Sequence, residues 1–125
     1  MSNLVRTFAW LLAAAVTFAT LGPPGLRPHS YLGQDGEHAL AFILVGLAFG
    51  LAYRRRRLLI AAAAVVLIGV LELMQFLAPG RHARLTDFLV DAATACLGFA
   101  LAAAADRLLS RVRTSAAVTS EGPAE

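Results

Sequence analysis

The chain has 125 residues, of which 58% are apolar and only 15% charged, with a formal net charge of +3 and a mean hydropathy of +0.68. A water-soluble domain of this size has too little interior to hide so much apolar side chain, and a disordered chain is poor in it, so both classes are excluded. What remains is an integral membrane protein; at about 20 residues per spanning helix the length admits four spans with short connections and no soluble domain.

The first apolar stretch, from Phe8 to Leu21, lies between Arg6 and Arg27 and ends at Gly22-Pro23-Pro24-Gly25, which breaks a helix. It predicts a span over 6–22. The rival reading is a secretory signal with Arg6 as its basic start and a cleavage site near Ala19, but the apolar run is long for one. The second span is placed at 38–53, a short run completed when His38 enters the membrane and Arg54 reaches back to its surface. The third is placed at 58–78 and carries one charge, Glu72; the fourth, at 87–105, holds Asp91 within it and Asp87 at its start. Beyond Asp106 the expectation is helix to Arg113 and a disordered tail over 114–125, so that 1–113 form the single domain. The fold class expected is all-α, a bundle of four transmembrane helices.

All eleven Lys and Arg positions are Arg, and they are unevenly placed. The run Arg54-Arg55-Arg56-Arg57 marks a tight cytoplasmic loop by the positive-inside rule. Arg6, Arg107, Arg111 and Arg113 fall on the same side, which puts both termini in the cytoplasm and the 23–36 and 79–86 loops outside. The basic balance therefore reports topology and contact with lipid head groups rather than a nucleic-acid partner. Cys96, the one cysteine, can form no internal disulfide.

Ionisable side chains within apolar spans are costly and point to function or to a polar network. Asp35 and His38 are three residues apart, as are Glu72 and Gln75, while Asp87 and Asp91 are four apart, so each pair shares a helix face. Arg81, His82 and Arg84 lie in the short loop that makes helices three and four antiparallel neighbours. Ala95, Gly98 and Ala102 permit close helix approach, and the Gly46–Gly50 spacing permits self-association. The outer half of the bundle is thus expected to enclose a pocket of Asp35, His38, Glu72, Gln75, Arg81, Asp87 and Asp91. The plainer reading gives Asp87 a role at a helix start, leaves Glu37 and His82 solvated, and gives Glu72 a partner among Arg81, Arg84, His38 or a proton.

In this order the residues resemble a known family. Asp35-Gly36-Glu37-His38 followed by Ala41-Phe42 is similar, with a one-residue difference in spacing, to the D-K-x-x-H-x-x-x-F opening of VanZ-like membrane proteins. Glu72 to Gln75 with Pro79-Gly80-Arg81 resembles their E-x-x-Q and P-G-R segment, and Asp87, Asp91 and Gly98 resemble the following D-x-x-x-N and glycine stretch, with Asp91 standing where Asn is usual. The resemblance spans about residues 35–105. It implies a small multi-pass protein of the bacterial inner membrane associated with tolerance of the glycopeptide teicoplanin, and supplies no reaction, cofactor or metal.

Three functions compete. In the first, the outer pocket binds an anionic or amphipathic envelope ligand, such as a lipid-linked cell-wall intermediate or a glycopeptide, through Arg81 and Arg84. In the second, His38, Glu72 and Asp87 serve a membrane-embedded hydrolase or transferase, although no H-E-x-x-H or G-x-S-x-G motif is present. In the third, the chain is a small proton-coupled transporter, against which the acids gather toward one side instead of the midplane.

Overall fold

The computed structural model describes residues 2–22, 31, 33–77 and 84–120, apart from the side chains of residues 2, 34, 35 and 120. Four helices follow in chain order: α1, Ser2–Leu21; α2, Gly33–Ala52; α3, Arg57–Phe76; and α4, Leu85–Ser120, with a 3-10 turn at Arg54–Arg56 between α2 and α3. Their boundaries follow the punctuation of the sequence. The last turn of α1 closes when Gly22 N–H donates to the Phe18 carbonyl (2.7 Å), immediately before the two prolines. Gly33, with φ of 72°, opens α2 in a conformation that only glycine adopts freely. The carbonyl of Arg84 accepts from the N–H groups of Asp87 and Phe88 and starts α4.

Two apolar layers fix how the helices run. One joins Ala9, Ala48, Phe49 and Phe99. The other joins Phe42, Ile68 and Ala95, with Val16 packed against them. From the first layer to the second the numbering rises along α1 and α3 and falls along α2 and α4, so the helices alternate in direction. The closest seam is between α2 and α4, which run parallel. A Cβ placed on Gly46 would lie 2.1 Å from the Ala95 carbonyl oxygen, and one on Gly98 would lie 2.2 Å from the Ile43 carbonyl oxygen. A Cβ on Gly50 would lie 2.6 Å from that of Ala102. In lipid, where apolar surface gains little by leaving the solvent, such backbone approach is the main source of helix attraction. The Gly46–Gly50 spacing is therefore occupied within the chain, by α4. Large apolar side chains point outward instead, among them Leu4, Phe8, Leu58, Leu73 and Phe76, as expected when the solvent is hydrocarbon.

The expectation of four transmembrane helices is corrected. Among the described residues three helices are long and apolar enough to cross a membrane: Asn3–Leu21, Arg54–Phe76 and Leu85–Thr119. The apolar part of α2, Gly36–Ala52, is shorter. Its 17 residues rise about 26 Å, below the roughly 30 Å of a hydrocarbon core. Asp35 and Glu37 at one end and the arginine run at the other prevent its extension. The assignment of both termini to the cytoplasm, drawn from the arginines, belonged to the four-span reading, and a count of three does not carry it. A second difference concerns the tail. Residues 114–120, expected to be disordered, continue α4 as helix. Neither Gly nor Pro interrupts the sequence between Gly98 and Gly122, and Thr114 and Thr119 donate to the carbonyls of Ser110 and Ser115 one turn back. The remaining tail residues lie outside the described part.

At the arginine end the bundle is tied by a clamp. Arg57 pairs with Asp106 of α4 and its Nε donates to the Gly50 carbonyl of α2 (3.0 Å). Arg54 reaches the other carboxylate oxygen at 3.2 Å. One carboxylate thus joins the last turn of α2, the first of α3 and the middle of α4.

Candidate functional site: a polar layer opening on a groove

One helical turn beyond the layer of Val16, Phe42, Ile68 and Ala95, on the side away from the clamp, each helix contributes a polar residue. These are Thr20 on α1 and Glu72 on α3, four residues after Val16 and Ile68, and His38 on α2 and Asp91 on α4, four residues before Phe42 and Ala95, as the alternating helix directions require. Thr20 and Asp91 are the buried polar residues of the described chain, at 4% and 7% exposure, while His38 and Glu72 are half-buried. None of Thr20, His38 and Asp91 is without a partner. The His38 ring meets the Phe42 ring edge-on at 6.5 Å between centroids. Thr94 donates to the carbonyls of Val90 and Asp91 at 2.8 and 3.0 Å, which fixes its hydroxyl beside the backbone that carries Asp91.

Glu72 accepts a hydrogen bond from the backbone N–H of Arg84 at 3.2 Å. Of the partners expected for it, the structure supplies Arg84, through the main chain. The carboxylate therefore staples the start of α4 to the last turns of α3. Gln75, half-buried one turn farther along α3, shares this face. Asp87 is exposed in the first turn of α4, with the Thr86 hydroxyl 3.5 Å from its carboxylate. That is the position in which an acid favours a helix start.

Between α3 and α4 a groove of about 490 Å³ opens beside the polar layer. Val66, Gly69, Val70, Leu73, Phe76, Leu85 and Phe88 form its apolar wall, and Glu72 and Arg84 are its charged lining residues. His38 and Asp87 do not line it. Of the expected pocket residues, His38, Asp91 and Glu72 share one level of the bundle, Glu72 also lines the lateral groove, and Asp87 is exposed. Arg81 and His82, together with the side chain of Asp35, lie outside the described residues. Among the described residues no group of three or more His, Cys, Asp or Glu is placed to hold a metal ion.

Two residues of importance escaped the sequence reading. Thr20 is one hydroxyl in an apolar span, and only its place at the end of that span distinguishes it. Asp106 stands at the end of the fourth apolar run, and its signal is the arginine run Arg54–Arg57 expected on the same side of the membrane.

A family model described as VanZ/LLP1 matches residues 3–108. No individual curated protein and no solved structure matches the chain.

Proposed function

The chain belongs to the VanZ/LLP1 family, as a multi-pass membrane protein of the bacterial cell envelope, and from that premise we propose that it binds an anionic amphipathic envelope ligand. The ligand's apolar part lies in the α3–α4 groove, and its acidic group meets Arg84 and Arg81. The observation that carries this reading is the make-up of the groove, an apolar wall in which Glu72 and Arg84 are the charged lining residues. A guanidinium can make two parallel hydrogen bonds to a phosphate or carboxylate. Glu72 holds the main chain of Arg84 in place, so its role is one of positioning. Thr20, His38 and Asp91 do not line the groove.

Within this reading the protein resides in the inner membrane, its ligand class includes lipid-linked cell-wall intermediates and glycopeptides, and ligand binding underlies teicoplanin tolerance. The catalytic alternative draws on His38 and Glu72, which share the polar layer, and on Asp87, which stands exposed one turn farther along α4. The groove reading uses an apolar surface that chemistry by those three residues alone leaves unused.

The test is the growth of cells carrying the protein, challenged with teicoplanin, with membrane insertion of every variant checked by fractionation. Arg84→Ala and Arg81→Ala are expected to reduce tolerance to that of cells lacking the protein, whereas Arg107→Ala leaves it unchanged. Full tolerance in both Arg84→Ala and Arg81→Ala would overturn the assignment.

A further inference from the structure

A second concave site lies at the opposite end of the bundle, where the start of α1 meets the α2–α3 turn. It has a volume of about 790 Å³, and Arg6, Arg54, Arg55 and Arg56 line it together with Tyr53 and Ile60. Among the described residues no acidic side chain lines it. The nearby acid Asp106 is bound to Arg57 and Arg54. Among the described residues no ion pair joins Arg6, Arg55 or Arg56 to a carboxylate. Arg6 is held in position, its guanidinium 5.3 Å from the centre of the Tyr53 ring, while the Tyr53 hydroxyl accepts from Trp10 Nε1 at 3.1 Å. Arg6 from α1 and Arg55 and Arg56 from the α2–α3 turn thus face one cavity in which the described residues offer them no counter-charge.

An apolar cavity of about 240 Å³ adjoins it on the side of the bundle interior. Tyr53 and Ile60 line both, and the walls of the inner one include Trp10, Phe42, Phe49 and Ile68. That inner cavity lies where α1 and α3 make little contact, and a further apolar cleft, lined by Trp10, Phe18 and Leu67, adjoins it. A water-filled cavity with such walls is unfavourable, whereas α1 and α3 are both long and apolar enough to stand in lipid.

We propose that this end of the protein is a binding site for a phosphate borne on an acyl chain, that is, for the head group of an anionic membrane lipid. Arg6, Arg55 and Arg56 neutralise the phosphate, and the chain enters the cavity between α1 and α3 past Tyr53 and Ile60. The site is separate from the α3–α4 groove and shares no residue with it. A basic loop alone would attract any anionic surface; the contribution of Arg6 from α1 and the apolar continuation restrict the site to an anion that carries a chain.

The experiment uses full-length protein, delipidated in detergent and titrated with dioleoyl phosphatidylglycerol, dioleoyl phosphatidylcholine and soluble glycerol 3-phosphate. Bound lipid is read by native mass spectrometry and by the fluorescence of Trp10, the chain's one tryptophan. A basic residue near an anionic head group is worth on the order of fivefold in affinity. Phosphatidylglycerol is therefore expected to bind about tenfold or more tighter than phosphatidylcholine, with the preference falling as salt rises. Arg6→Gln, Arg55→Gln and Arg56→Gln combined should abolish the preference, and Arg111→Gln with Arg113→Gln should leave it intact. Equal retention of the two lipids, survival of the preference in the triple variant, or its loss in the tail variant would each overturn the proposal. Glycerol 3-phosphate binding as tightly as phosphatidylglycerol would assign the arginines to a free phosphate and overturn the role of the cavity. If the triple variant fails to fold, the native chain decides, since a preference insensitive to salt excludes the arginine contact.

Discussion

Asp106 gathers more of the molecule than any other carboxylate described. Its side chain and that of Arg57 are 18% and 19% exposed, so removing one leaves the other charge largely buried without its partner. Loss of one member of a buried pair is strongly destabilising, and residual exposure reduces the effect. Asp106→Ala is expected to lower stability by roughly 2 kcal/mol, read as a fall in the melting temperature of the detergent-solubilised protein. The double variant Asp106→Ala with Arg57→Ala should lose no more than the single one. A double variant that loses the sum of both single effects would show that the two side chains act independently. Glu72 offers a contrast. It was legible as an anomaly, because an acid within an apolar span demands a partner, but its partner was not legible. The main-chain N–H of Arg84 has no sequence signature.

At the scale of the helices, charges and helix breakers marked the ends of the apolar runs well, since a membrane helix must satisfy its main-chain hydrogen bonds and avoid charge. Two features were less legible. The short apolar reach of α2 was visible as a run from Ala39 to Tyr53, yet His38 and Arg54 were counted toward a span. The count of helices long enough to cross does not include it. The small residues Ala95, Gly98 and Ala102 were recognised as permitting close approach, but not that they meet Gly46 and Gly50 of α2; pairing between distant segments is set by the whole packing and not by local spacing. This seam carries its own prediction. Gly98→Ala puts a Cβ 2.2 Å from the Ile43 carbonyl oxygen and 2.7 Å from the Leu47 nitrogen, both main-chain atoms that cannot swing aside. It is expected to destabilise the protein by about 2 kcal/mol, despite alanine's better helix propensity. Gly69→Ala places its Cβ 3.4 Å from the Phe88 ring and should change stability by less than about 1 kcal/mol. Thermal unfolding of the two variants under one condition compares them; equal melting temperatures would contradict the α2–α4 seam.

At the scale of the whole molecule the two ends of the bundle differ in kind. One end is basic, with Arg57 satisfied by Asp106 and with Arg6, Arg55 and Arg56 facing a cavity. The other brings one polar residue from each helix to a single level and opens sideways between α3 and α4. The sequence made the clustering of acids at that second end legible, since their spacing alone assigns them to shared faces. It did not divide them into an interior layer and a lateral groove, because that division depends on how each helix is rotated. The central claim is that the groove holds an anionic amphiphile. Its most direct test is a photo-crosslinking residue placed in living cells at Val70 or Phe88, with Leu101, an outward-facing position of α4 outside the groove, as the control. Mass analysis of the adducts is expected to find a phosphate- or carboxylate-bearing amphiphile at Val70 and Phe88 that is absent at Leu101 and lost on Arg84→Ala. Identical adducts of bulk lipid at all three positions, unchanged by Arg84→Ala, would contradict the account.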